Sequence, residues 1–368
     1  MSKPIRVLCV FSTLDRGGAE CMCMNLYRHI DRSQVQFDFV KHTEAAGEFE
    51  PEILRLGGRI YSAPRYSPSA HLAYLRWWRK HLKAHPEHRI VHFHYFTMAA
   101  IAAPTVRRCG CYTITHAHTS RADSRKKALL LKTVGRRTDA CFACSTAAGE
   151  WMFPGREFTV LRNAVDADAF TVRSDVRAQV RAEFGLEDRN LVLGVVGRMA
   201  RAKNPMESLA IFRETHLRNP EARLLWIGDG PRRGEVEARI EHDGLQDAVI
   251  LAGTRTDVPR MLQAFDAYLQ PSVYEGLSVA QIEAQAAGLR CFMSDTITRE
   301  ADVTGRCAYL PLGQPALWAE TILSTDLTKI DTKQQIVDAG YDIRTTAGWL
   351  QAFYLSKSPA DHAPGDRP

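Results

Sequence analysis

Two glutamates eight residues apart, Glu275 and Glu283, stand in the stretch from Leu269 to Gly288 without an apparent structural duty. Between them lie Gly276, Leu277 and Ser278, whose backbone amides would open a helix. Unpaired N–H groups and the helix dipole attract an anion such as a phosphate to such a place. One carboxylate therefore belongs to a loop and the other to a helix at the same edge, and the two need not share a role. Two histidine pairs, His92-x-His94 and His116-x-His118, and the doublet Gly17-Gly18 complete the set of residues that could do chemistry.

These groups need elements to hold them. Ala267 to Gln270 is an apolar run suited to a buried strand, and Pro271 ends it. Ser278 with Gln281 reads as a capping box, and Gly288 closes the helix that follows. Upstream, strand and helix patterns alternate. Ile5 to Phe11 (strand) leads through the glycine doublet to a helix reaching Ile30, followed by Val35 to Lys41 (strand), Pro51 to Leu56 (helix) and Arg59 to Ala63 (strand). Next come Ala70 to Ala84 (helix), Arg89 to Tyr95 (strand), Met98 to Arg108 (helix) and Cys111 to Ala117 (strand). Asp139 to Ser145 and Glu157 to Leu161 read as the last strands of this half. The pattern restarts with strands at Asn190 to Gly197, Leu224 to Ile227 and Val249 to Ala252, and after the glutamates at Leu289 to Met293 and Cys307 to Leu310. Such alternation implies parallel, doubly wound sheets, whose ligands bind beyond the carboxyl ends of the strands, where both histidine pairs fall.

A length of 368 residues suggests two domains, and 45% hydrophobic with 24% charged residues is ordinary for a soluble globular chain. No apolar run is long enough to span a bilayer and Met1 to Phe11 lacks a cleavage site, so a cytoplasmic location is expected. The nine cysteines, an odd count, are then expected to stay reduced. Cys141 and Cys144 fall on one strand, where residues three apart face opposite ways, which argues against a shared metal. A net charge of +6 and a pI near 8.8 favour anionic partners. No zinc-finger spacing, helix-turn-helix signal or aromatic RNA-binding motif accompanies the charge, so nucleoside diphosphates or anionic lipid head groups are expected rather than nucleic acid. Segments 71–83, with Trp77 and Trp78, and 121–137, with seven Lys/Arg against Asp123 alone, are basic and apolar together. Each is either a face for an anionic membrane or a sheet-covering helix, the helix being favoured for the first.

The string Pro271-Ser-x-Tyr-Glu275-Gly-Leu-Ser-x-x-Gln-x-Glu283-Ala-x-Ala-x-Gly288 resembles the signature of the retaining, nucleotide-sugar-dependent glycosyltransferases of family 4. In motif order the resemblance extends over roughly residues 5 to 355. It implies an α/β fold of the GT-B type, two Rossmann-like domains with parallel sheets facing across a cleft. The domains would be an acceptor-binding one at 1–165 and a nucleotide-sugar-binding one at 166–340. A C-terminal helix at 341–356 would return to the first domain, followed by a disordered tail at 357–368. Leu161 to Asp166 resembles the family's Asn-Gly-Val-Asp crossover, with Ala164 in place of glycine. Gly197-Arg198-x4-Lys203-Asn204 resembles the segment whose Arg and Lys hold the donor diphosphate. Arginine suits bidentate phosphate contact and lysine a point charge.

By the same resemblance Gly17 and Gly18 lie beside the diphosphate, together with Gly276, Leu277 and Ser278. Glu283 binds the ribose, Glu275 the donor sugar hydroxyls, and Thr254 to Val258 frames the base. His118 contacts the sugar, and His116, one pleat away, is expected to be wrong-faced. No metal and no other cofactor is expected. The implied reaction moves a sugar, a UDP-sugar on family grounds, to a saccharide or lipid-linked acceptor in exopolysaccharide or capsule assembly, with possible contact at the inner face of the membrane. The leaving phosphate takes the acceptor proton, so the glutamates are not the acid and nucleophile of a glycosidase. Three rivals stand beside it. Gly228-Asp-Gly230-Pro-Arg-Arg-Gly234 nearly matches a dinucleotide fingerprint, but its glycine spacing is one residue too long and the next strand ends in Gly253-Thr254 instead of an acid. The other two are a GT-B nucleotide-sugar epimerase and a catalytically silent nucleotide-sugar-binding scaffold.

Overall fold

A computed structural model describes residues 3–118, 133–275 and 277–358. The chain divides into two compact units, one running to Ala164 and resuming at Ile343, the other Val165–Asp342. Each is a Rossmann-like layer built on one all-parallel sheet.

The first sheet contains β1 (Ile5–Val10), β2 (Val35–Lys41), β3 (Ile60–Ser62), β4 (Ile90–Phe93), β5 (Tyr112–Ala117), β6 (Ala140–Ala143) and β7 (Thr159–Val160), in the order β3-β2-β1-β4-β5-β6-β7. Its strands are near-continuous apolar runs because helices cover both faces. Val91 and Phe93 feed one apolar cluster, while Ile90, Ile114 and Phe142 feed another. Strand addition reverses direction between β1 and β4, which makes the gap beyond their carboxyl ends the switch point. The edge strand β7 keeps two residues of the expected Glu157 to Leu161 run, as edge strands are commonly short. The Ile343–Lys357 helix belongs to this unit. Its stripe Ile343, Ala347, Leu350 and Tyr354 is buried, and the helix packs against the Gly18–His29 helix.

The second sheet contains β8 (Leu191–Val196), β9 (Ala222–Ile227), β10 (Val249–Leu251), β11 (Ala267–Gln270), β12 (Arg290–Ser294) and β13 (Cys307–Leu310), in the order β10-β9-β8-β11-β12-β13. Its switch point lies between β8 and β11.

The His71–Ala84 helix settles the reading of segment 71–83 on the side of packing. Tyr74, Trp78 and Leu82 are buried in the core while Arg76, Arg79, Lys80 and Lys83 point outward. Of segment 121–137, residues 121–132 lie outside the described residues, as do Gly276 and the tail beyond 358. Val134 is buried, and Arg137 donates to the Ala100 carbonyl at 2.6 Å. The alternation argument for Cys141 and Cys144 needs correction. β6 ends at Ala143, so Cys144 escapes strand alternation and packs in the same cluster as Cys141. The crossover at Ala164 adopts no positive φ, so it does not need the family's glycine. Among the described residues no helix is long and apolar enough to cross a membrane.

Candidate active site

The carboxyl rim of the second sheet is a set of loops hydrogen-bonded to one another. The loop after β8 is tied to the turn after β9 by Met199 N–H donating to Asp229 O at 3.0 Å and Arg232 N–H donating to Met199 O at 2.9 Å. Gly228 N–H donates to Gly253 O at 2.8 Å, and Val273 N–H to Ala202 O at 2.8 Å, which brings in the loops after β10 and β11. The glycines of the near-fingerprint serve this contact. A Cβ on Gly228 (φ +135°) would lie 2.1 Å from the Gly197 carbonyl oxygen, and one on Gly230 2.6 Å from that of Met199. The turn therefore needs glycine so that one backbone can approach another, which accounts for the motif without a dinucleotide.

At the switch point two of the predicted residues, Lys203 and Glu275, meet. Lys203 closes a short turn after β8, and Asn204, at φ +52°, starts the Pro205–Arg218 helix. Lys203 Nζ lies 2.6 Å from Glu275 Oε1, which also accepts from Ser272 Oγ at 2.7 Å. Ser272 is itself fixed, since its carbonyl accepts from Ser294 Oγ and, at 3.0 Å, from Thr296 Oγ1. Arg198 is exposed, and among the described residues it has no ion-pair partner. An ammonium has three N–H donors, so Lys203 can hold Glu275 and still offer a proton to an anion.

The Val279–Ala286 helix opens as expected, with Ser278 Oγ accepting from Gln281 N–H at 3.4 Å and donating to Gln270 Oε1 at 3.1 Å. The capping box is only half formed. The Gln281 side chain turns away to Tyr309 OH at 3.3 Å, because it is buried among β13 side chains. Leu277 is half-buried at the helix start. Glu283 is half-buried on the same helix, and among the described residues its carboxylate has no hydrogen-bond or ion-pair partner. Burial alone pushes its pKa up to about 7. A half-buried carboxyl without a partner is a group that gains by accepting hydroxyl donors from a ligand. Thr254 is exposed just after β10, and Val258 begins the Val258–Met261 helix. Between them Arg255 grips Asp257 through two bonds of 2.8 Å.

In the first unit Gly17 is the extended N-cap of the Gly18–His29 helix. A Cβ there would meet the carboxylate of Glu20 at 2.2 Å, whereas Gly18 faces open space. His118 follows β5, half-buried, with Nε2 3.0 Å from His94 Nδ1. The expectation that His116 is wrong-faced is overturned. Side chains two apart on a strand share a face, and the His116 and His118 rings stack with centroids 4.2 Å apart. His92 and His94 stack likewise at 4.2 Å, and the β4–β5 register sets the four imidazoles side by side. Desolvation, reinforced by neighbouring imidazoles, holds His92, His94 and His116 well below the usual histidine pKa. Burial takes His118 down to about 3, so all four are neutral at pH 7.

Ring nitrogens of His92, His94 and His116 lie within 4.8 Å of one another, a spacing compatible with a metal ion. Rings of His92 and His94 inclined by 26° with centroids 4.2 Å apart must be face to face, however, so their in-plane lone pairs run alongside one another instead of converging.

A cavity of about 620 Å³ opens beyond the carboxyl ends of β1 to β4, lined among others by Thr13, His42, Arg65, Tyr66, Tyr95 and Thr97. His42 Nδ1–H donates to the Phe11 carbonyl at 2.8 Å, so its Nε2 accepts from Tyr74 OH at 2.8 Å. These residues were not singled out in the sequence. The one available signal was position, each lying just after a strand.

Comparison with known proteins now bears on these two rims. Residues 16–169 match the family model described as Glycosyltransferase Family 4, and residues 190–325 the model described as Glycosyl transferases group 1. The chain is 31% identical to the putative glycosyltransferase EpsF of Bacillus subtilis (strain 168), covering 97% of this chain and 98% of that one. It is 30% identical, over 38% of this chain and 37% of the other, to the UDP-Gal:alpha-D-GlcNAc-diphosphoundecaprenol alpha-1,3-galactosyltransferase of Escherichia coli. The crystal structure of HepE of Anabaena in complex with UDP and glucose superposes with a TM-score of 0.77 at 17% identity, covering 96% of this chain and 99% of that chain, a likeness of fold.

Proposed function

The chain belongs to the family 4 glycosyltransferases, and from that premise we propose that it transfers a sugar with retention from a UDP-sugar to a saccharide or lipid-linked saccharide acceptor in exopolysaccharide or capsule assembly. The observation that carries the donor half is the switch-point constellation of the second unit. There the Lys203–Glu275 pair and the exposed Arg198 accompany a half-buried Glu283 that lacks a partner among the described residues. Arg198 and Lys203 stabilise the charge that develops on the departing diphosphate, aided by the amides of Leu277 and Ser278 and by that of Gly276, which lies outside the described residues. Glu283 accepts the ribose hydroxyls, and Glu275 orients the sugar. The stretch Thr254 to Val258 frames the base.

Glu275 is bound to Lys203 and Ser272, an arrangement that suits orientation better than nucleophilic attack. The leaving phosphate accepts the acceptor proton, and the fixed cations do the charge work for which other transferases use a metal. The acceptor lies in the 620 Å³ cavity, whose Tyr66 and Tyr95 rings and surrounding hydroxyls suit a saccharide. The acceptor printed in the name of the E. coli relative carries a diphosphoundecaprenol, which supports a lipid-linked acceptor and work at the membrane face.

A thermal-shift screen against UDP, GDP, ADP and NAD tests the donor site, because a ligand that binds only the folded state raises the melting temperature. UDP is expected to raise it, and Glu283→Ala to abolish the shift. A shift with NAD alone, or with none of the four, would sink the proposal.

A further inference from the structure

We infer that His94 is a positioning residue for His118, fixing its ring plane and holding it in the tautomer whose proton is on Nδ1. The inference rests on the sugar contact that the family resemblance implies for His118 and adds a residue behind it. The ring of His94 is immobilised first. Phe11 lies 4.5 Å from it at an interplanar angle of 7°, and His92 lies 4.2 Å from it at 26°. Two near-parallel rings that close can only occupy opposite faces, so His94 is sandwiched and the direction of its Nδ1 is set.

Its hydrogen bonding then chooses the proton. The 3.0 Å bond between His94 Nδ1 and His118 Nε2 contains one hydrogen. Among the described residues His94 Nε2 is buried without a hydrogen-bond partner. Were the His94 proton on Nε2, a buried N–H would be orphaned, the rarest kind of unmet group in folded proteins. With the proton on Nδ1, His94 donates to His118, and only a lone pair is left on Nε2. His118, accepting at Nε2 and neutral, must carry its own proton on Nδ1. It therefore presents a donor, which is what contact with a sugar oxygen requires. The hydrogen bond at one ring nitrogen sets the role of the other.

The test uses full-length protein labelled with 15N-histidine, in which ring-nitrogen shifts distinguish a protonated from an unprotonated nitrogen. His118 is assigned by its absence in His118→Gln. The wild type is expected to show His118 protonated at Nδ1. His94→Asn, whose amide can still donate to Nε2, is expected to keep that form, and His94→Phe, which preserves the stack on Phe11, to lose it. Turnover should fall roughly 10–100-fold in His94→Phe, the loss seen when the partner that orients a metal-bound histidine is removed, with partial recovery in His94→Asn and unchanged Kd for UDP. A wild-type His118 protonated at Nε2 would overturn the inference. So would a His94→Phe variant that keeps both the tautomer and the turnover. If no donor and acceptor pair gives turnover, the reading of His118 as a sugar contact fails, and the tautomer spectrum still decides whether His94 sets His118. Should His94→Phe not fold, the wild-type and His94→Asn spectra decide alone.

Discussion

The two carboxyl rims are built on the same topology and handle charge differently. In the second unit the rim carries Arg198, Lys203, Glu275 and Glu283, with one short ion pair and one uncompensated carboxyl. In the first, four stacked imidazoles are kept neutral by burial, and the acidic and basic side chains of the 620 Å³ cavity are Glu44 and Arg65 among tyrosines and hydroxyls. On the proposed function the difference follows from the ligands. A diphosphate with a charged leaving group has to be met by fixed charges, whereas a neutral saccharide is better met by rings and uncharged donors, whose desolvation costs less.

The sharpest way to break this contrast is to remove the cations. Arg198→Ala with Lys203→Ala deletes two charge-assisted contacts worth about 1.5–3 kcal/mol each, so UDP affinity should fall roughly 10²–10⁴-fold by titration calorimetry. It also leaves Glu275 facing the diphosphate unpaired. Unchanged affinity would remove the second rim from the donor site.

The same contrast makes Glu283 the group whose behaviour should depend on pH. Its folded-state pKa of about 7 lies above the reference value of 4.5. The unfolded chain then binds fewer protons between those values, so the folded state loses stability as pH rises through that window. Glu283→Gln should therefore be more stable than the wild type at pH 8, by up to about 3 kcal/mol in unfolding free energy, and equal it near pH 4. UDP affinity should show the reverse. In the wild type the carboxylate's protonation weakens it by up to about tenfold per pH unit below 7, and in Glu283→Gln, weaker throughout, that contribution is missing and only the titration of the UDP terminal phosphate, with a pKa of about 6, remains. Parallel pH profiles for the two proteins would contradict the ribose assignment.

The first rim should answer to the loss of a ring. Tyr95→Ala removes an aromatic wall of the 620 Å³ cavity, and Tyr95 packs edge-on against His42 at 5.5 Å. A loss of about 0.5–1.5 kcal/mol predicts a roughly 2- to 12-fold higher KM for acceptor with an unchanged Kd for UDP. A change in UDP affinity of the same size would mean that the cavity serves the donor.

The two rims also differed in how far they could be read from sequence. Glu275, Glu283, Arg198 and Lys203 were legible because charge at a strand end, in fixed spacing around a helix start, has few structural uses. The parallel sheets followed from alternating apolar runs, down to the limits of β4, β5 and β11 within two residues or so. The first rim was read less well. His42, Tyr66 and Tyr95 come from three different strand ends, and nothing in a linear sequence says that they line one cavity. The stacking of His94 on Phe11 joins β4 to the residue just past β1, neighbours only once the strand order is known. The misreading of His116 was of another kind, since strand period alone places residues 116 and 118 on one face.

The smallest expected effect concerns the helix that carries Glu283. A complete capping box would make Ser278 and Gln281 reciprocal partners, but here only Ser278 caps, while the Gln281 side chain is committed to Tyr309. Ser278→Ala should cost about 1 kcal/mol, the usual loss for an N-cap, or roughly 2–4 °C in melting temperature for a unit of this size. The Gln281 backbone N–H then loses its acceptor, and Gln270 Oε1 keeps only the bond from Tyr268 OH. Ser278→Asp should restore the cap, since a carboxylate accepts the same N–H, while placing a negative charge where the proposed diphosphate binds. The pair separates two roles of one residue. Melting should recover in Ser278→Asp and UDP affinity should not, and recovery of both would show that Ser278 holds the helix without meeting the donor.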